Sequence, residues 1–179
     1  YGMTAGELAE MINDEGWLNG GRKCKLTVVP MEGWKRSLWW DETGLVWVLP
    51  SPHIPRWSTA LFYVMTGLLG ELGTANQGVG YTLPFELVGA PWIDRYRLAE
   101  YLNALNLEGI AFRPMTYKAF YFDTSGTQLE GVQLHIVDRD RLNLTAVQLS
   151  IIEALLRLFP DWNIIQRAKN GRISSFEKA

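Results

Sequence analysis

The sequence has little cysteine and little histidine, and it has no long apolar run. Cys24 is the single cysteine and has no partner for an internal disulfide, and the two histidines form no cluster with the spacing of a zinc site. No stretch reaches the roughly 18 apolar residues that a membrane-spanning helix needs, and the first residues lack the layout of a signal peptide. We therefore expect no metal, no organic cofactor and no membrane span.

The chain also lacks an excess of charge of one sign. Its 17 Lys and Arg stand against 19 Asp and Glu, a formal net charge of -2, and no segment collects the basic residues into a stripe. This argues against nucleic acid as a partner. Hydrophobic residues make up 47% of the 179 residues, which is enough for a sizeable core. The length predicts a single domain over residues 1–179.

Aromatic residues, in contrast, are abundant at 12% of the chain, and six of the eight tryptophans lie in its first third. Large rings bury much area in a core at low entropic cost. Flat ring faces also suit stacking on sugars. Composition alone leaves both interpretations open.

Local signals predict about four helices. A capping box of Thr4 and Glu7 begins the first, Ser58 precedes a second that ends near Gly70, and Asp94 precedes a third. A fourth begins near Asn143 or Thr145 and ends at Pro160. Strands are predicted at residues 25–29, 45–49, 110–113 and 132–137. This order lacks strict strand and helix alternation and predicts an α+β fold, a mixed small sheet or partial barrel packed with helices.

The most promising site by composition is the loop at residues 71–82, which is rich in glycine and in polar side chains. Glycines let a backbone approach a ligand closely, but they also simply form turns. Glu71, Glu86 and Asp94 fall within one region, and sugar cleavage needs two carboxylates. Sequence spacing does not give the distance between them.

The histidines and one charged motif offer weaker signals. His53 lies in a rigid proline loop and is the better functional candidate, whereas His135 lies in a predicted strand and is interpreted as structural. The run DRDR at residues 138–141 is interpreted as a solvated turn. No sequence pattern of a serine nucleophile or a dinucleotide site is present.

Six segments together resemble one bacterial family. They are spread in order over most of the chain: YGMTAGELAEMIN, LTVVPMEGWKR, LVWVLPSPHIP, STALFYVMTGLLGELGT, GVGYTLPFELVGAPWID and GVQLHIVDRD. The chain is similar to the DUF1343 or YbbC-like family, which includes exo-β-N-acetylmuramidases of the NamZ type.

This resemblance implies a two-lobed glycosidase that releases N-acetylmuramic acid from peptidoglycan fragments outside the cytoplasm, with no cofactor. Relatives have a Rossmann-like N-terminal lobe, a smaller mixed lobe and a cleft between them. The resemblance assigns residues 1–179 to the C-terminal lobe, so that the N-terminal lobe is absent from this chain and would be its partner at the cleft. The alternative is a non-catalytic module that binds glycan or protein.

The resemblance also implies roles for individual residues. Glu71 would be the acid/base or substrate-orienting carboxylate, and Trp92 would stack on the sugar ring. Val79 stands where relatives have an arginine, which fits a divergent subfamily acting on a related sugar. Further hydrogen bonds to the sugar would come from Ser51, His53, Asn76 and Thr82.

Overall fold

The first helix begins where its capping box predicts. In a computed structural model, which describes residues 2–73, 75–120 and 125–163, helix α1 spans Ala5–Asp14. The Thr4 hydroxyl accepts from the Glu7 amide at 3.2 Å, and the Glu7 carboxylate accepts from the Thr4 amide at 2.7 Å. The two bonds satisfy backbone donors that the first turn of a helix leaves without partners.

Contacts between Cα atoms divide the chain into two compact units, Tyr1–Val46 and Trp47–Ala179. Helix α1 lies in the first unit. The remaining helices and all described strands lie in the second, in the order α2 Thr59–Leu72, β1 Leu87–Ala90, α3 Arg95–Ala104, β2 Ile110–Lys118, β3 Gln128–Ile136 and α4 Leu144–Leu158. Four helices with a small sheet confirm the predicted α+β class.

The predicted caps of the later helices mark the right positions. Asp94 accepts from two amides of the first turn of α3, and Asn143 accepts from the Ala146 amide at the start of α4. Ser58 occupies the N-cap position of α2, but its side chain makes no capping hydrogen bond. Helix α2 ends two residues beyond Gly70, and Gly73 takes the left-handed conformation that closes it.

The sheet is antiparallel and open, with strand order β1-β3-β2. Strands β2 and β3 are longer than predicted, and Pro114 lies within β2. Proline fits there because β2 is an edge strand and needs no hydrogen bond along its outer side. At the same strand, the Asn103 side chain donates to the Phe112 carbonyl at 2.8 Å and accepts from its amide at 3.0 Å. The side-chain amide of Asn103 therefore supplies hydrogen-bond partners for the Phe112 backbone on the outer edge of β2.

Two predicted strands are wrong. Residues 25–29 and 45–49 pair with no described strand, and Val29, Val46 and Val48 are largely exposed. A β-branched run forms a strand only when a neighbouring strand and a buried face stabilise it. Strand β1, which sequence analysis did not predict, is a short apolar stretch whose four residues are all buried.

The main core of the second unit lies between the sheet and helices α2, α3 and α4. It contains side chains from each of these elements that are essentially inaccessible to solvent: Met65, Leu69, Val88, Leu98, Leu102, Val132, Leu134, Ile151 and Leu155. A second, smaller cluster surrounds Leu87, Tyr117 and Leu129. Together these clusters fix the ends of the strands and the start of α2, where the pocket described below is found.

Candidate functional site

Glu71, the predicted carboxylate, lies in the last turn of α2. Its side chain is exposed, and it has no hydrogen-bond or ion-pair partner within residues 2–73, 75–120 and 125–163. Nothing in the described surroundings holds the carboxylate in one orientation.

Asn76, in the loop after α2, uses its side chain to close that loop. The amide oxygen accepts from the Gly78 amide and from the Tyr117 hydroxyl, both at 2.8 Å. The amide nitrogen donates to the Val79 carbonyl at 3.1 Å, and the backbone pairs with Gly89 in an isolated bridge. Three internal contacts leave the side chain with one N–H for another partner.

Burial of the Tyr117 hydroxyl beneath this loop raises the pKa of the phenol well above its usual range. Burial thus favours the neutral, protonated form of the phenol. As a neutral donor it holds the Asn76 amide oxygen, and its ring occupies the space beside Gly89. Tyr117 thus acts as a fixed support for the loop.

Two glycines, Gly78 in this loop and Gly70 near the end of α2, leave space that neighbouring protein atoms occupy. Gly78 has a φ of +83°, and a Cβ there would overlap the Leu83 carbonyl oxygen. A Cβ at Gly70 would overlap the side-chain amide of Gln77. At both positions the space beside the backbone is already occupied by protein.

The proline loop at residues 51–55 contains Ser51 and His53, both half-buried. The Ser51 hydroxyl accepts from the His53 amide at 3.3 Å, and the Ser51 carbonyl accepts from the Ile54 amide at 3.0 Å. The Trp47 indole donates to the Ile54 carbonyl at 3.1 Å. Local hydrogen bonds therefore fix this turn, as the two prolines predict.

The other two predicted binding residues differ in their surroundings. Thr82 is exposed. Trp92 is half-buried, with its ring stacked on Trp162 at a centroid distance of 5.3 Å and an angle of 8°, and it meets the edge of Phe159 at 5.6 Å. One face of the Trp92 indole is thus covered by another indole.

A pocket of about 310 Å³ lies elsewhere in the second unit, between the start of α2 and the end of β3. None of the six predicted site residues lines it. Its polar and aromatic lining brings together a carboxylate, an imidazole, a guanidinium and an indole: Glu86, His135, Arg139 and Trp57. Its volume is at the lower end of the roughly 300–1,000 Å³ that small-molecule sites occupy.

The Glu86 carboxylate is held firmly at this pocket. It pairs with Arg56, with Nη2 and Oε1 2.9 Å apart, and its side chain is only 13% exposed. The backbone of Glu86 is also fixed, because its carbonyl accepts from the Leu134 amide at 2.8 Å. Of the three carboxylates of the predicted region, Glu86 is the one that lines the pocket, and unlike Glu71 it is held by an ion pair.

The residue before Glu86 has an unusual backbone. Phe85 has a φ of +65°, a left-handed conformation that costs energy for a bulky residue. Three contacts maintain it: the Phe85 amide donates to the Gln77 carbonyl at 2.7 Å, the buried Thr66 hydroxyl donates to the Phe85 carbonyl at 2.8 Å, and the ring meets Tyr63 edge-on at 4.7 Å. Strain of this kind is concentrated at functional sites.

Two other lining residues contact each other: the Arg139 guanidinium lies over the Trp57 ring, with 5.8 Å between Cζ and the centroid. Arg139 belongs to the DRDR motif that sequence analysis interpreted as a solvated turn. His135 was interpreted as structural, yet its exposed side chain also lines the pocket. His135 and Arg139 are 78 and 82 positions from Trp57, so no local sequence signal links them.

Within the described ranges, no group of three His, Cys, Asp or Glu side chains could hold a metal ion. Among the described helices, none has both the length and the apolar composition to cross a bilayer. The pocket lining itself offers a carboxylate, an imidazole and a guanidinium group.

Comparison with known proteins gives two family matches, one for each part of the chain. Residues 61–178 match the family described as exo-β-N-acetylmuramidase NamZ, C-terminal, and residues 1–58 match the corresponding N-terminal description. Sequence analysis had assigned residues 1–58 to the second lobe together with the rest of the chain. The boundary between the two matches falls close to the start of α2.

Two relatives cover nearly the whole chain. The peptidoglycan β-N-acetylmuramidase NamZ of Bacillus subtilis is 40% identical over 161 residues, which are 90% of this chain and 38% of that protein. The crystal structure of a DUF1343 family protein from Bacteroides fragilis is 44% identical, with a TM-score of 0.81 over 93% of this chain and 43% of that one. The chain thus spans about two fifths of the length of these relatives.

Proposed function

The chain belongs to the NamZ family of exo-β-N-acetylmuramidases, also called DUF1343, and from this membership we propose that it is part of an exo-acting glycoside hydrolase. The activity would release N-acetylmuramic acid, or a related sugar, from peptidoglycan fragments. The second unit would supply one wall of the active cleft, and the N-terminal domain of the family would supply the other. Peptidoglycan lies outside the cytoplasmic membrane, so we propose an extracytoplasmic location.

The pocket at the start of α2 is the observation that carries this proposal. It combines a nearly buried carboxylate, Glu86, with an imidazole and a guanidinium in a volume suited to one sugar residue. Glycoside hydrolysis needs a carboxyl group beside the scissile bond, and side chains that hydrogen-bond hydroxyl groups hold the ring. The strained backbone at Phe85 indicates that the protein maintains Glu86 in this position at some energetic cost.

Glu71 remains the second candidate for the carboxylate, on the strength of the resemblance. Ser51, His53, Asn76, Thr82 and Trp92 likewise remain proposed contacts to the glycan. Since glycosidases of this kind use two carboxyl groups, the partner of Glu86 would be either Glu71 or a residue of the N-terminal domain. The roles of Glu71 and Glu86 can be distinguished by substituting each in turn, because Glu71 is exposed whereas Glu86 is ion-paired at the pocket.

The test uses the full gene product and a chromogenic N-acetylmuramic acid glycoside, alongside natural muropeptides. We expect Glu86→Gln to lower kcat by at least about 100-fold, because a positioned acid or base contributes roughly 10² to 10⁴. Glu71→Gln is measured in parallel. The matched control is Glu100→Gln, which alters an exposed glutamate of α3 and should leave kcat unchanged.

The outcomes separate the hypotheses. Loss of turnover in Glu86→Gln alone places the chemistry in the pocket, and loss in Glu71→Gln alone places it at the end of α2. If the full gene product binds muropeptides but never releases a sugar, the hydrolase proposal is wrong and the non-catalytic glycan-binding module takes its place. Circular dichroism spectra identical to the wild type show that each variant is folded.

A further inference from the structure

We propose that Arg139 is a specificity-determining residue that binds the carboxylate of an acidic sugar, and that Trp57 positions it. This inference rests on the proposed function, whose substrate is an acidic sugar, and names the group that recognises its charge. N-acetylmuramic acid differs from N-acetylglucosamine only by a lactyl ether, which carries a carboxylate. A residue that binds this carboxylate would discriminate between the two sugars.

The side chain of Arg139 has the chemistry and the location for this role. It lines the pocket, and its guanidinium is planar, permanently charged and able to bind a carboxylate through two parallel hydrogen bonds. The Trp57 ring beneath it, 5.8 Å from Cζ to the centroid, attracts the cation. Because a guanidinium has five N–H donors, it can keep its contacts within the protein and still bind a ligand.

The backbone beneath Arg139 is fixed by close packing. The Gly109 carbonyl accepts from the amides of Val137 and Asp138 at 2.9 and 3.2 Å. Gly109 has a φ of +77°, and a Cβ there would overlap the Asp138 carbonyl oxygen. The Asp138 carboxylate accepts from the Asp140 amide at 3.1 Å, which closes the turn. These contacts fix the backbone position from which the Arg139 side chain reaches the pocket.

The other charges of the pocket are compatible with an incoming anion. Glu86 is the carboxylate of the pocket lining, and its ion pair with Arg56 offsets its charge. Asp138 and Asp140 flank Arg139 in the sequence, but neither lines the pocket. The carboxylate of a ligand would therefore meet the Arg139 guanidinium, while Arg56 offsets the charge of Glu86.

The contact would act on binding more than on the chemical step. A lactyl carboxylate keeps the same charge before and during cleavage of the glycosidic bond, so its contact stabilises the ground state and the transition state equally. Losing such a contact raises KM and leaves kcat nearly unchanged. This pattern differs from the loss of kcat expected for Glu86→Gln.

The experiment measures binding of free N-acetylmuramic acid and of N-acetylglucosamine to the full gene product by calorimetry, together with KM and kcat for the acidic glycoside. Arg139→Gln should weaken binding of the acidic sugar by about 10-fold to 100-fold, the usual range for a hydrogen bond to a charged group, and leave the neutral sugar unaffected. Arg141→Gln is the matched control, because Arg141 belongs to the same turn but pairs with Glu108 and does not line the pocket.

Trp57 is tested through its ring. Trp57→Leu should weaken binding of the acidic sugar, but by less than Arg139→Gln does. Trp57→Phe should retain most of the wild-type affinity, because an aromatic face remains. In the double variant of Trp57→Leu and Arg139→Gln, binding of the acidic sugar should be no weaker than in Arg139→Gln alone.

Two results would overturn the inference: an unchanged preference for the acidic sugar in Arg139→Gln, or an equal loss for both sugars. Binding is measured independently of turnover. A protein that binds the acidic sugar through Arg139 but releases nothing would therefore contradict the hydrolase proposal and leave this inference standing.

Discussion

Asn76 shows how the side chain of a single residue can stabilise a loop. Its side chain accepts two hydrogen bonds and donates one within the protein. Asn76→Ala would leave the Gly78 amide without this partner, and the Tyr117 hydroxyl with only the longer contact to the Asn76 backbone carbonyl at 3.2 Å. Leaving buried polar groups unsatisfied costs about 1–3 kcal/mol. We expect urea unfolding of the 179-residue chain to show a loss of about 2 kcal/mol for Asn76→Ala.

Thr82→Ala is the control, since an exposed hydroxyl should change the free energy of unfolding by no more than about 0.5 kcal/mol. Unchanged stability in Asn76→Ala, combined with weaker glycan binding by the full gene product, would contradict the structural role. It would then favour the direct contact that the family resemblance implies.

At the same scale, the pocket was not predicted, although one of its residues, Glu86, belongs to a region that was. Glu86 was one of three carboxylates assigned to one region, and what distinguishes it is the ion pair with Arg56 and the left-handed Phe85 before it. Arg56 is 30 positions away, and the backbone of Phe85 depends on the Thr66 hydroxyl of another element. Local sequence patterns do not reveal such contacts between distant residues.

Elements were predictable where their signals are local. The capping residues Thr4, Asp94 and Asn143 mark the starts of three helices, because a cap acts within one turn. Strands at residues 25–29 and 45–49 were wrong, because a strand depends on a partner that composition does not reveal. The same dependence explains why β1 was missed and why β2 and β3 are longer than their apolar runs.

The loop after α2 provides a test at this scale, through two glycines that differ in their surroundings. Gly73 and Gly78 both have positive φ, but a Cβ at Gly73 would meet nothing within 4 Å, whereas one at Gly78 would overlap the Leu83 carbonyl. Gly73→Ala should cost about 1 kcal/mol from the left-handed backbone alone. Gly78→Ala should cost about 1 to 3 kcal/mol more, because the loop must shift to relieve the overlap.

Thermal unfolding of the two variants beside the wild-type chain measures this difference. Equal losses in melting temperature would show that the loop yields without cost at Gly78. The loop would then have room for a ligand beside its backbone, as its glycine content first indicated.

At the scale of the whole molecule, the two units differ in how much they bury. Both hydrophobic clusters lie within the second unit, whereas none of residues 2–46 whose burial is described is buried. Burial of apolar area is the main term that offsets the loss of chain entropy on folding. The second unit therefore contains what an independently folding domain requires.

We accordingly expect a fragment of residues 47–179 to fold by itself. It should unfold in urea in one cooperative transition, with near-ultraviolet circular dichroism from its tryptophans lost in the same step. Leu102→Ala in this fragment should lower the free energy of unfolding by about 2–5 kcal/mol, because Leu102 is fully buried and its removal leaves a cavity. A gradual transition that Leu102→Ala does not shift would show that the described core is insufficient, and that residues 1–46 are needed to form it.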